Sequence, residues 1–175
     1  MVPLVLTFVG DDRPGLVSAV SETVASCGGT WLESRSAQLA GKFAGILLVS
    51  VPEARQAELE SSLRLLEGAG LRLTIERGEA AITEKPGRLI DLDILGNERP
   101  GIVRDVTHAL NNLGVNIEEF SSDIESAPFT GVEMFRAKAK LRAPDDLPAE
   151  ELRKALERLA GEIMVDLSVG DGEAR

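Results

Sequence analysis

Apolar and polar positions along the chain change rhythm repeatedly, between alternation and recurrence every three or four residues. Residues 3–9 (Pro-Leu-Val-Leu-Thr-Phe-Val) are β-prone and predict a first strand. Leu16, Val17, Val20, Val24 and Cys27 then fall on one helical face, which Cys27-Gly28-Gly29 ends. A second strand is predicted from Thr30 to Leu39, a hairpin at Ala40-Gly41-Lys42, and a third strand from Phe43 to Val51. Pro52 opens a second helix, where its missing N–H costs nothing, and Leu59, Leu63 and Leu66 follow at i, i+4 and i+7. Gly68 and Gly70 stop that helix, and Leu71, Leu73 and Ile75 alternate along a fourth strand. The order βαββαβ is that of the ferredoxin-like split βαβ unit, an α+β fold with antiparallel sheets and helices on one face.

The same order then repeats. Gly10-Asp11-Asp12-Arg13-Pro14-Gly15 recurs as Gly96-Asn97-Glu98-Arg99-Pro100-Gly101, an offset of 97 − 11 = 86 residues. Leu16, Val17, Val20, Val24, Cys27 and Gly28 become Ile102, Val103, Val106, Leu110, Leu113 and Gly114. The second copy predicts strands at about 88–95, 115–125 and 132–141, with a helix over 102–113 and a loop at Ser126–Gly131. Asp145 and Asp146 are placed to cap a last helix carrying Leu152, Leu156 and Leu159, followed by a strand with Ile163, Val165, Leu167 and Val169. The offset there is 152 − 59 = 93, so seven residues are inserted in the hairpin and the loop after it. The chain therefore reads as modules 1–77 and 88–169, a linker over 78–87, and a polar tail, 170–175, expected to be disordered. Modules this small are marginal alone, so the two are expected to share an interface.

Composition narrows the function. With 43% hydrophobic and 27% charged residues the chain is that of a soluble globular protein, and no apolar run approaches a membrane span. Nothing at the N-terminus resembles a secretion signal, so the cytoplasm is expected. A net charge of −10, no basic stripe and almost no aromatic residues argue against direct nucleic-acid binding. One cysteine and one histidine offer no disulfide, metal centre or cofactor site. Cys27 lies on an apolar helical stripe and reads as core; His108 lies off such a stripe and reads as surface. Asp91 and Asp93 share a strand face without a catalytic partner, and Arg13 and Arg99 read as solvated or paired with acids.

The duplicated turns carry the chemistry. A helix entered through Pro-Gly presents unpaired N–H groups and about half a positive charge, a seat for a carboxylate or phosphate. Asp11, Asp12, Asn97 and Glu98 beside it would receive an ammonium group, so the combination suits a free α-amino acid. Pro-Gly turns with capping acids also serve as plain joints between strands and helices, which leaves that alternative open. Asn116, with Thr30 at the matching place in the first module, opens a second strand and offers a further polar contact; Trp31 lies alongside Thr30 as a reporter.

These turns, the βαββαβ order and Gly114-Val115-Asn116-Ile117 resemble the ACT domain, in tandem over nearly the whole chain. The resemblance implies amino-acid binding in a groove between paired modules, through Asp11, Asp12, Pro14, Gly15, Asn97, Glu98, Pro100, Gly101 and Asn116. Gly29-Thr30 replaces Val115-Asn116 in the first module, so the fuller site is expected at the second turn with Asn116. A tandem of this kind with no enzyme attached implies a non-catalytic transcriptional regulator that responds to an amino acid, glycine first, through a DNA-binding partner protein. Exposed sheet edges tend to pair, which allows a homodimer. The competing expectations are a small acylphosphatase-like hydrolase on the same scaffold and an interaction module without a ligand.

Overall fold

The computed structural model describes residues 1–78, 86–126 and 131–158, and the backbone of 163–169. Most of the expected linker, the hairpin tip 127–130, Leu159 and the tail 170–175 lie outside the described residues. The chain divides into two compact units, Met1–Thr83 and Glu84–Arg175. The first contains β1 (Val2–Asp11), α1 (Leu16–Ser26), β2 (Thr30–Leu39), β3 (Lys42–Val51), α2 (Gln56–Leu65) and β4 (Leu71–Arg77). The second contains β5 (Arg88–Asn97), α3 (Ile102–Asn112), β6 (Asn116–Ser126), β7 (Glu133–Ala143), α4 (Ala149–Glu157) and β8 (Ile163–Val169). The sheet orders are β2-β3-β1-β4 and β6-β7-β5-β8, with every neighbouring pair antiparallel. Each unit is the ferredoxin-like α+β fold that the periodicity predicts.

The central strand explains why. Successive side chains of a strand point to opposite faces. In β1, Val2, Leu4, Leu6 and Phe8 are buried and join Leu16, Val20 and Val24 of α1 and Leu59 and Leu63 of α2 in one cluster. In β5, Ile90, Leu92 and Ile94 do the same with α3 and α4. Cys27 is 1% exposed within the first of these clusters. Among the described residues no polar or charged residue is buried.

Several boundaries differ from the sequence reading. β1 and β5 each continue two residues beyond the predicted strand, through Gly10-Asp11 and Gly96-Asn97, which pair with Phe43-Lys42 and Phe135-Met134. Position 10 requires glycine because a Cβ there would lie 2.9 Å from the Gly70 carbonyl oxygen. Pro52 is extended, and a single 3₁₀ turn at Glu53–Arg55 leads into α2. Asp145 and Asp146 do not cap α4: Pro148 is its N-cap, and no side chain bonds its first turn. The chain must first bury Leu147, in a turn closed by the Leu147 N–H donating to the Pro144 carbonyl at 3.2 Å.

The seven inserted residues divide cleanly. Phe43 and Phe135 both lie opposite a β-strand glycine, and 135 − 43 = 92, so six residues (92 − 86) belong to the β6–β7 hairpin. The remaining one lies between β7 and α4. The first hairpin is tight, with Ala40 and Gly41 both left-handed (φ 48° and 76°), as a two-residue turn requires.

Core volume is traded between the copies. Phe8 pairs with Gly45, whose missing Cβ would lie 2.5 Å from the Phe8 ring, and the equivalent pair in the second module is Ile94 with Ala137. Gly45→Ala is therefore expected to destabilise the first module by about 1–3 kcal/mol through overpacking. Adding Phe8→Ile should recover part of that loss, with a coupling of about 1 kcal/mol or more. Urea unfolding followed by Trp31 emission, in a double-mutant cycle, measures it; additive losses would show that the ring and the glycine are independent.

Candidate functional site

Each module has one corner where the central strand hands over to the first helix. At the first corner, Gly15 is left-handed (φ 93°) and precedes α1 without any side-chain cap or first-turn acid. The first intrahelical bond runs from the Ala19 N–H to the Gly15 carbonyl at 2.9 Å. Asp12 and Pro14 are exposed, and the Asp12 N–H donates to the Gly41 carbonyl at 2.9 Å. Asp11 is paired with Lys42, whose hydrogen bond and charge hold its carboxyl below the usual range. A cavity of about 230 Å³ lies against Pro14, Gly15, Leu16, Ala19, Leu66 and Leu71. Its size suits a small molecule.

The second corner has the same backbone and a different charge arrangement. Gly101 is left-handed (φ 87°), and the Asp105 N–H donates to its carbonyl at 3.0 Å. Asn97 and Pro100 are exposed, and the Glu98 N–H donates to the Glu133 carbonyl at 3.1 Å. In the first turn of α3 the Asp105 carboxylate accepts from Arg99 Nη1 at 2.7 Å and from Arg104 Nε and Nη2 at 3.0 and 2.9 Å. These hydrogen bonds, from Arg99 first and then Arg104, hold the Asp105 carboxyl below its ordinary 3.8. The residue 86 positions earlier is Ala19, so this acid has no counterpart at the first corner. The repeat gives no sign of Asp105; its mark in the sequence is an acid in the first helical turn, within reach of the arginine before Pro-Gly. The cavity here is larger, about 470 Å³, with Glu98, Arg99, Gly101, Val103, Ile124 and Phe135 among its walls.

Asn116 does not join the second turn within its module. It lies opposite Arg142, which lies opposite Leu89, so 97 − 89 = 8 strand residues separate it from Asn97. At ~3.3 Å per residue the gap is roughly 26 Å. The cause is topological: α3 carries the chain back along the sheet before β6 begins. Asn116 instead borders a cavity of about 750 Å³ with Gly87, Arg142, Pro144, Asp145 and Asp146. Thr30 and Trp31 occupy the same far end of the first module, with Trp31 opposite Val49 and thus level with Leu4, seven strand residues (11 − 4) short of Asp11. Trp31 packs against the core there and does not neighbour the first turn.

The remaining residues singled out in the sequence lie away from both corners. His108 is exposed. Asp91 and Asp93 face Lys140 and Lys138 across β7, with Asp93 3.7 Å from the Lys138 ammonium. Lys140 in turn is 3.5 Å from Glu119, so this sheet face, away from the helices, carries charges of both signs. Among the described residues no group of side chains could hold a metal ion, and no helix is long and apolar enough to cross a membrane.

Comparison with known proteins agrees with this architecture. Residues 2–76 match the family model of the ACT domain. The chain is 26% identical to the glycine cleavage system transcriptional repressor of Escherichia coli (strain K12), over 95% of this chain and 88% of that protein. It is 29% identical to a phosphoserine phosphatase of Mycobacterium tuberculosis, over 97% of this chain but only 41% of the phosphatase. Among solved structures, an unknown protein from Galdieria sulphuraria superposes with a TM-score of 0.79 at 30% identity, over 97% of this chain and 98% of that one.

The Asp105 cluster makes a prediction about pH. A carboxyl whose pKa is depressed on folding stabilises the fold above its unfolded value, and the gain is lost as pH falls through the folded value. Asp105→Asn is thus expected to melt below the parent at pH 7, with the difference closing as the pH drops beneath 3.8. Paired melting curves at neutral and acid pH check this; a difference independent of pH would mean the carboxylate charge contributes nothing.

Proposed function

We propose that this chain, whose residues 2–76 match the ACT domain and which is similar over most of its length to the glycine cleavage system transcriptional repressor, is a non-enzymatic regulatory protein whose corners bind an amino acid. Glycine is the first candidate ligand, and the output is transcriptional, passed to a DNA-binding partner protein in the cytoplasm. The observation that carries the reading is the duplicated corner itself. In each copy a left-handed glycine opens a helix whose first N–H groups lack a side-chain cap, next to carboxylates able to meet an ammonium group. That set of donors and acceptors matches a zwitterion. A net charge of −10 supports action through a protein partner in place of direct DNA contact.

A hydrolase is the weaker reading. Phosphoryl chemistry needs donors around the phosphate without adjacent carboxylates, while Asp11 and Asp12 attend one corner and Glu98 and Asp105 the other. The phosphatase relative does not alter this, because the chain spans less than half of that protein.

Glycine has about five heavy atoms, and at a ceiling of ~1.5 kcal/mol per atom its affinity is micromolar at best. Saturation at about 100 times the dissociation constant should raise the stability of the binding module by roughly 2.7 kcal/mol. Melting of the full chain with each of the twenty amino acids tests the reading. A rise with glycine is expected, while twenty unchanged curves would remove the ligand-binding function. Trp31 emission is expected to follow unfolding and not to report occupancy directly, since the indole lies at the opposite end of its sheet from the turn.

A further inference from the structure

The two corners share a backbone but not a wall. Beside the second corner, the helix-facing side of β6 and the start of α3 leave Ile124 and Val103 59% and 40% exposed, above the buried ring of Phe135. In the first module the matching β2 position is Gln38 (124 − 86), and the small cavity at that corner lies instead towards Leu66 and Leu71. A cavity of about 470 Å³ with Ile102, Val103, Ile124 and Phe135 on its wall offers far more apolar surface than glycine can cover. The same cavity is bordered by two carboxylates, Glu98 and Asp123, and by one guanidinium, Arg99, which also holds Asp105. Glu98 beside Arg99 offers partners for an ammonium and a carboxylate, and Val103, Ile124 and Phe135 offer apolar surface, a combination that suits a zwitterion with an apolar body.

We infer that the second corner takes an amino acid with a bulky apolar side chain, of the leucine, isoleucine or phenylalanine class. Its ammonium meets Glu98, its carboxylate meets Arg99, and its side chain covers Val103, Ile124 and Phe135. This rests on reading the corners as amino-acid sites, and adds that the two corners select different members of that class. Ile124 is the selecting residue: glutamine, which stands at the matching position of the first module, would remove apolar contact, and a hydrophobic pocket that loses apolar contact discriminates side chains less well.

The test is calorimetric titration of the full chain with leucine, phenylalanine and glycine, using the parent protein, Ile124→Gln and Glu98→Gln. Residue 124 is exposed, so Ile124→Gln should fold normally, which circular dichroism and the melting temperature verify. Leucine or phenylalanine is expected to bind the parent and to lose about tenfold or more in affinity with either substitution. Equal affinity for the parent and Ile124→Gln would overturn the inference. Glycine binding without any leucine or phenylalanine binding would overturn it while sparing the amino-acid reading of the corners. No heat with any of the three would overturn the inference and count against that reading as well.

Discussion

A central strand has only two faces, and in both modules one of them is committed to the helices. Leu6 and Ile94 are completely buried there, and a shift of one residue would turn every such side chain towards water. That alternation fixes the register of β1 against β3 and β4, and of β5 against β7 and β8. It also sets where the strand stops and the helix begins, because Leu16 and Ile102 must fall beneath the sheet at once. In both modules a sharp turn through a left-handed glycine does this, and so the corner follows from the core. The uncapped helix end is its by-product, and any ligand exploits a geometry that packing already demands.

The face away from the helices is under no such constraint, and there the copies have diverged. In the first sheet Val5, Val9 and Leu48 are half-buried and Ile46 is 48% exposed, around a hydrogen bond of 2.5 Å between Thr7 and Thr74. In the second the matching surface is ionic, with Asp93 against Lys138 and Glu119 against Lys140. Exposed pairs of this kind contribute little stability, usually under about 1 kcal/mol each. Their effect is on what each surface tolerates as a neighbour, and the two sheets tolerate different neighbours.

Most elements were legible in the sequence because periodicity records burial: Leu16, Val20, Val24 and Cys27 face the core as their spacing requires, whereas Val17, read on the same face, is exposed. The duplication made the second module readable from the first, including a surplus of seven residues. What could not be read were places where a third element decides. Gly10 looks like part of a turn until Gly70 is known to press against it. Asp145 and Asp146 look like caps until Leu147 is seen to need burial before the helix can start. Asn116 is close to the Pro-Gly turn in sequence but a sheet's length away in space, since one intervening helix returns the chain to the far end. Local pattern reports which side of an element is buried. It does not report which end of a sheet a residue occupies unless the topology is drawn first.

The same limit explains why identical motifs need not make identical sites. Arg13 and Arg99 precede the same Pro-Gly pair, yet one helix continues with Ala19 and the other with Asp105. A carboxylate at that point interacts favourably with the helix dipole and draws in two guanidinium groups, so the corner already holds the kind of charge a ligand would bring. The first corner, with no acid in its first helical turn, still presents its donors to an incoming anion. A ligand at the second corner must then depend more on its ammonium group and its apolar surface than on its carboxylate. Duplication preserved the backbone that packing requires, while a handful of side chains outside the core were free to decide what each copy recognises.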